Sequence, residues 1–351
     1  MNVLPGLLLA LVLAFAGQYL SDVIGIDLMG LPKSPISAIM MAIILGIIIR
    51  NTFSLPAALQ PGIRFGLVRV LRAGIVLLGI RLSLSEAGTI GLQALPVIIG
   101  AVTAALLIVT FLARRLGLSG KLGTLIAVGT SICGATAIVA TAPTIAARDD
   151  EVSYSVACVT LFGVVAMLAY PFIGHWFFDG DAFRSGLFLG TAVHETAQVA
   201  GAGLVYQQYY TDPEALDVAT VTKLVRNLGM LLIIPLMSVL YHRNHSDGTE
   251  APKWYTMVPL FVIGFACMSL IRTIGDLGDQ PFGFLDPEQW KTIVGYTKKT
   301  AELFLAIAMA SVGLGTSIKG LRDIGLRPLG AGLVAAVLVG VVSITLISLL
   351  Y

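Results

Sequence analysis

His194 and Glu195 stand side by side near the middle of an apolar run covering 183–206. An ionisable side chain at bilayer depth costs about 2.5–3.5 kcal/mol on insertion scales, so such residues are rare there and usually serve function. Helical neighbours point about 100° apart, so a helix break at this point would let both face one cavity. Histidine is the side chain whose unperturbed titration lies near neutral pH, which makes His194 a candidate proton carrier with Glu195 as its partner in coupling. In the next apolar run Lys223 and Arg226 lie three residues apart and project from one helix face. Glu195 can neutralise one of them. Counting side chains leaves about one positive charge over, and that surplus predicts an anionic ligand. The plainer alternatives are a neutral histidine bonded to a backbone carbonyl and an ion-pair cluster that only holds helices together.

A second constellation lies upstream. The run 121–147 contains Gly129, Thr130, Ser131, Cys133, Gly134, Thr136 and Pro143. Gly and Pro weaken helices, and an interrupted helix survives in lipid only where its freed backbone groups face protein or a water-filled cavity. Such a break exposes N–H groups that favour an anion, and Thr130, Ser131 and Thr136 would add hydroxyl donors. The same phrase returns: Gly129-Thr130-Ser131-Ile132-Cys133-Gly134 is matched by Gly315-Thr316-Ser317-Ile318-Lys319-Gly320. Thr130, Ser131, Cys133, Gly134, Thr136, Gln198, Lys223, Arg226, Gly315, Thr316 and Ser317 are therefore the candidate substrate-binding residues.

The elements that must position these groups are membrane helices. Of the 351 residues 57% are hydrophobic and only 12% charged, against about 25% charged in a soluble domain. Mean hydropathy is +0.91. Hydropathy places about eleven spans at 3–20, 35–50, 64–82, 95–116, 121–147, 152–174, 183–206, 214–241, 255–273, 300–325 and 327–349. Most of the 22 Lys and Arg residues fall on the inner side if Met1 is cytoplasmic, which predicts a cytoplasmic N-terminus and an external C-terminus. The stretch 276–299 is polar and reads as a loop; Trp176, Trp254 and Trp290 read as interfacial anchors, and His242 and His245 as inert loop residues.

Five crossings separate the two related phrases, so they enter the membrane from opposite sides, as in an inverted-topology repeat. The whole chain then forms one all-α membrane domain: residues 1–20 an added helix, 35–174 the first repeat and 183–349 the second. A rival register matches Gly79, Ser83 and Ile90 to Gly313, Ser317 and Ile324, but only the first gives equal five-helix halves. The net charge of +2 recruits no nucleic acid. Cys133, Cys158 and Cys267 lack metal-ligand spacing, and no nucleotide, zinc or nucleophile motif points to a cofactor or an enzyme.

At Thr130-Ser131-Ile132-Cys133-Gly134, His194-Glu195-Thr196-Ala197-Gln198-Val199 and Lys223-x-x-Arg226 the chain resembles the YeiH-type family of bacterial inner-membrane proteins, to which sulfate export has been ascribed. The likeness runs from Pro5 to the last helix; where that family usually carries Asp, this sequence has Glu195. The resemblance implies kinship with the bile acid:sodium symporter and cation–proton antiporter architecture: inverted five-helix repeats, two broken helices crossing at midplane, a core moving against a scaffold, and a homodimer through a scaffold helix. The expectation is a secondary transporter of a small anion, sulfate or a related sulfonate or carboxylate, coupled to protons. Sodium coupling through Glu195 and break carbonyls ranks below it, and an anion channel or a membrane enzyme lower still.

Overall fold

Long apolar runs with their breakers confined to run ends and a few interior points can satisfy backbone groups in lipid only as helices. Accordingly, the described residues are helical with no strand among them. The computed structural model describes residues 3–28, 37–242, 259–278, 280–317 and 326–351. In chain order the helices are α1 (Leu4–Asp22), α2 (Ala38–Thr52), α3 (Gln60–Phe65), α4 (Leu71–Leu78), α5 (Leu84–Arg115), α6 (Gly120–Ser131), α7 (Ala135–Thr141) and α8 (Asp149–Phe177). There follow α9 (Ala182–Ala192), α10 (Thr196–Tyr210), α11 (Glu214–Leu228), α12 (Met230–His242), α13 (Leu260–Gly275), α14 (Pro287–Gly315) and α15 (Leu326–Leu350). Among the described residues five helical stretches are long and apolar enough to cross a membrane: Leu4–Asp22, Leu84–Arg115, Asp149–Phe177, Glu214–Met237 and Leu329–Leu350. Ile318, Lys319 and Gly320 of the second phrase, together with Trp254 and His245, lie outside the described residues.

One expectation is corrected. Much of the stretch read as a polar loop over 276–299 is helix, because α14 begins at Pro287. The Asp286 carboxylate caps it, accepting from Glu288 N at 3.1 Å and Gln289 N at 3.3 Å, and proline at the first helical position needs no donor partner. Polarity marked this segment as leaving the apolar region; it did not mark it as non-helical.

The helices sort into two compact units. The first takes in Met1–Ile90, Gly203–Asp217 and Leu260–Ile318; the second Gly91–Ala202, Val218–Pro259 and Lys319–Tyr351. Each draws on both halves of the chain, and the boundary falls inside α5, α10 and α11. Inside the first unit, α1, α2, α4 and α14 pack through glycines. Gly17 faces Ala38 and Ala42, Gly6 faces Gly62, and Gly46 faces the turn Ala310–Leu314. Small residues let backbones approach closely where lipid gives no hydrophobic drive for association. Ala10, Leu13, Ala42, Ile63, Ala310 and Leu314 fill the space between these crossings.

In the second unit two half-helices run through the interior. Every residue of α6 from Leu122 to Ser131 is buried, as is every residue of α9 from Ser185 to Ala192. A helix apolar on all sides belongs inside. Both stop in the interior: α6 gives way to Ile132, Cys133 and Gly134 before α7, and α9 to Val193, His194 and Glu195 before α10.

The glycine contacts of the first unit carry a direct test. A Cβ on Gly313 would overlap the Ile43 carbonyl and come within 3.0 Å of Gly46 Cα, whereas one on Gly88 would meet nothing within 4 Å. Gly313→Ala is expected to lose about 1–3 kcal/mol of stability, and Gly88→Ala to be neutral or slightly stabilised, in thermal unfolding of detergent-solubilised protein.

Candidate functional site

The two breaks have different local causes. At the first, Ile132 adopts φ −120°, ψ −87° and Gly134 φ +67°, ψ −133°, a region in which a residue with a Cβ is strained. The second has neither Gly nor Pro. Val193 simply turns extended at φ −80°, ψ 142°, and the freed carbonyls are captured from another helix. That helix is α11, which presses close to α9 where Gly190 meets Thr222: a Cβ on Gly190 would lie 2.6 Å from Thr222 Cβ.

The approach brings Lys223 and Arg226, 0% and 1% exposed, onto both breaks. Lys223 Nζ donates to Ile132 O at 2.7 Å, to His194 O, and to Val193 O at 3.4 Å. Arg226 Nε donates to Ser131 O at 2.7 Å, and Nη2 to Thr130 O. Its Nη1 reaches Thr191 O at 2.7 Å, Val193 O at 3.0 Å and Gly190 O at 3.3 Å. All these acceptors belong to the last turns of α6 and α9 or to the residues just beyond. A helix end leaves four carbonyls without partners and carries roughly half a negative charge. Two such ends together with Glu195 balance two cations. The positive surplus obtained by counting side chains is thus met by the main chain.

Glu195 marks the opposite polarity of the site. Its carboxylate Oε1 accepts from Thr160 Oγ1 at 3.0 Å and from Ala135 N, the first residue of α7, at 3.4 Å. Gly134 makes room for it, since a Cβ there would overlap Glu195 Cγ. Gln198 locks the arrangement: Oε1 accepts from Glu195 N at 3.1 Å while Nε2 donates to Thr160 O at 3.0 Å. Gly163, one turn along α8 from Thr160, leaves the space that the Gln198 amide fills. His194 Nδ1 lies 3.1 Å from Ala192 O. A carbonyl only accepts, so Nδ1 carries a proton, and in the neutral ring Nε2 then carries the lone pair. Among the described residues, His194 Nε2, Thr222 Oγ1 and Asn227 Oδ1 are buried without a hydrogen-bond partner, while Asn227 Nδ2 donates to Thr196 Oγ1 at 3.1 Å at the start of α10.

The structure therefore gathers Thr130, Ser131, Gly134, His194, Glu195, Gln198, Lys223 and Arg226 in one cluster. Thr130 and Ser131 enter it through their carbonyls. The Thr130 hydroxyl donates back to Ile126 O at 2.7 Å and that of Ser131 to Val128 O at 3.3 Å. Cys133 turns into the apolar cluster of the second unit, with Sγ 3.1 Å from Met230 Sδ, and Thr136 is exposed on α7. Gly315, Thr316 and Ser317 belong to the first unit, where Thr316 Oγ1 donates to Val312 O at 2.8 Å and Thr316 O accepts from Asn51 Nδ2 at 3.0 Å. Sequence reasoning missed Thr160, which no motif distinguishes from other membrane threonines. It also missed a charge network in the first unit. Arg81, 6% exposed in its side chain, pairs with Asp217 at 2.5 Å and Glu302 at 3.3 Å. Gln207 joins both, accepting from Arg81 Nη2 at 3.2 Å and donating to Glu302 at 2.9 Å. Arg81 and Glu302 each sit near the end of an apolar run, where a charge is not conspicuous in the sequence.

Against known proteins, residues 5–332 match the family model described as conserved hypothetical protein 698. A UPF0324 membrane protein of Fusobacterium nucleatum is 31% identical over 91% of this chain and 90% of its own length. One from Nitratidesulfovibrio vulgaris is 32% identical over 92% and 86%, and one from Bartonella henselae 34% over 92% and 85%. These relatives are named as membrane proteins, in keeping with a helical chain that has several membrane-length apolar helices.

Arg226 gives the sharpest test of the capping role. Arg226→Met removes every donor from Thr130, Ser131 and Thr191, and each buried carbonyl left unsatisfied costs about 1–3 kcal/mol. The variant is expected to lose more thermal stability than Gly313→Ala, or to fail to accumulate. Arg226→Lys, with fewer donors, is expected to fall between Arg226→Met and the unsubstituted protein.

Proposed function

We propose, for a chain that belongs to the conserved hypothetical protein 698 family, the family of the YeiH-type and UPF0324 membrane proteins, the function of a secondary active transporter of a small anion. The observation that carries this reading is the meeting of two interrupted helices at one buried place. There, fixed cations hold the carbonyl side of both breaks, and a carboxylate rests on the N–H side of one. Irregular backbone at membrane depth is stable only where protein or a cavity satisfies it, and discontinuous helices are how many transporters build a site near the midplane.

The chemistry that the breaks accept is that of an oxyanion. Thr160 Oγ1 and Ala135 N already bind a carboxylate, that of Glu195, so a sulfate, sulfonate or carboxylate solute competes for donors of the same kind. Protons are the coupling ion. Carbonyl oxygens suit hard cations such as sodium, but those of Ile132, Val193 and His194 are engaged by Lys223. His194 Nε2, by contrast, has no hydrogen-bond partner among the described residues. Transport follows alternating access through an elevator-like motion of the helices that carry the breaks, in a homodimer of the bacterial inner membrane. Each chain has about eleven crossings arranged as inverted repeats, with its N-terminus cytoplasmic and its C-terminus periplasmic.

Flux into proteoliposomes tests this. A saturable, counter-transportable anion, recovered chemically unaltered, is expected to move faster when a proton gradient is imposed, and replacing sodium by choline is expected to change nothing. Channel-like unsaturable flux or a product of altered chemistry rejects the reading. His194→Ala is expected to fold normally and to lose the response to the proton gradient; an unchanged response removes His194 from the coupling role.

A further inference from the structure

A second concentration of charge lies in the first unit, away from the helix breaks. Between the end of α13 and the first half of α14 is a cavity of about 400 Å³ lined by Arg272, Asp276, Trp290, Lys291, Val294 and Lys298. Its frame is rigid. Gly275 packs against the Trp290 ring, where a Cβ would overlap it. Trp290 Nε1 donates to Asp276 Oδ1 at 2.9 Å, and Arg272 Nε pairs with Asp276 Oδ2 at 2.5 Å. Both oxygens of the Asp276 carboxylate are therefore engaged.

Lys291, Val294 and Lys298 are spaced three and four apart on α14, which places them on one helix face and puts the two lysines about 10 Å apart along the axis. Among the described residues, three cations and one carboxylate line the cavity. The other carboxylates that act on Lys298 are Asp217 and Glu302, and both are already shared with Arg81. On the proposed topology these residues lie on the outer side, where the positive-inside tendency gives no reason for a basic cluster.

The surroundings of the cavity are those of a membrane boundary. Ile271 is 40% exposed, Ile274 42%, Leu277 65%, Ile293 45% and Tyr296 69%, so apolar side chains flank the cations on the same two helices. Trp290, buried against Gly275, forms part of the wall. A cavity of this size falls in the range of about 300–1,000 Å³ typical of small-molecule sites and exceeds what a bare inorganic ion fills. Basic pockets between membrane helices bind anionic headgroups by pairing with the phosphate.

We propose that this cavity is a binding site for a tetrahedral oxyanion, the phosphate of an anionic phospholipid headgroup, with Lys291 and Lys298 as its ligands and Arg272 completing the charge. The lipid tails lie along the exposed Ile and Tyr side chains.

Thermal unfolding of the full chain tests the site, comparing nanodiscs of phosphatidylcholine with nanodiscs containing phosphatidylglycerol. A parallel series adds inorganic phosphate or sulfate to protein in phosphatidylcholine. The unsubstituted protein and Lys299→Gln, a control at an exposed lysine outside the cavity lining, are expected to gain several degrees from phosphatidylglycerol. Lys291→Gln/Lys298→Gln is expected to lose at least half of that gain. Should the double variant fail to fold, Lys291→Gln alone, at an exposed position, is expected to raise the half-saturating phosphatidylglycerol fraction several-fold. A gain from inorganic phosphate or sulfate that disappears in the lysine variants upholds the oxyanion site and assigns it to a solute instead of a lipid. Equal gains in the lysine variants and the unsubstituted protein overturn the proposal.

Discussion

Backbone carbonyls released inside a membrane protein must find donors without help from bulk water, and the second unit is organised around that requirement. Stopping α6 and α9 in the interior frees the carbonyls of Thr130, Ser131, Ile132, Gly190, Thr191, Val193 and His194. Two side chains of α11 answer all of them. Arg226 suits this task because its planar fork presents five donors in fixed directions, and Lys223 because its compact ammonium takes three acceptors at once. Among the described residues neither cation has a carboxylate at ion-pair distance; the two helix ends and the more distant Glu195 balance them.

That balance changes what the cations can do. A lysine or arginine aimed into an open cavity would be a ligand for solute, whereas these two are structural counter-charges that keep two helix ends together. The groups left for chemistry are those on the other side of the breaks: the Glu195 carboxylate, seated on Thr160 and Ala135, and the Nε2 atom of His194. A fixed charge maintains the interruption, and a carboxylate and an imidazole lie beside it. The two roles fall on neighbouring residues because a broken helix presents carbonyls at one end of the gap and N–H groups at the other.

The first unit solves the same problem of packing in lipid by different means. Its helices are uninterrupted at the crossings and approach through glycines, so little polar main chain needs outside donors. Its charged residues gather where α4, α10, α11 and α14 end or leave the apolar region, with Arg81 joining Asp217, Gln207 and Glu302. The basic cavity beside Trp290 lies in the same unit, between the end of an apolar helix and the start of one that the sequence marked only as polar.

Composition and hydropathy by themselves determined that the chain is a helical membrane protein, because too few charged residues exist to coat a soluble body. They also picked out His194, Glu195, Lys223 and Arg226, since a charge at membrane depth is costly enough to be conspicuous in one sequence. Gly134 announced the first break through its conformational freedom. Tertiary structure alone decided the second break, which carries neither Gly nor Pro and exists because α11 takes its carbonyls. It also decided that Thr130 and Ser131 serve through their main chain, that Thr160 holds Glu195, and that Thr316 joins a different unit from Thr130. Sequence records side-chain type, while these assignments depend on which backbone groups are left without partners once the helices have packed.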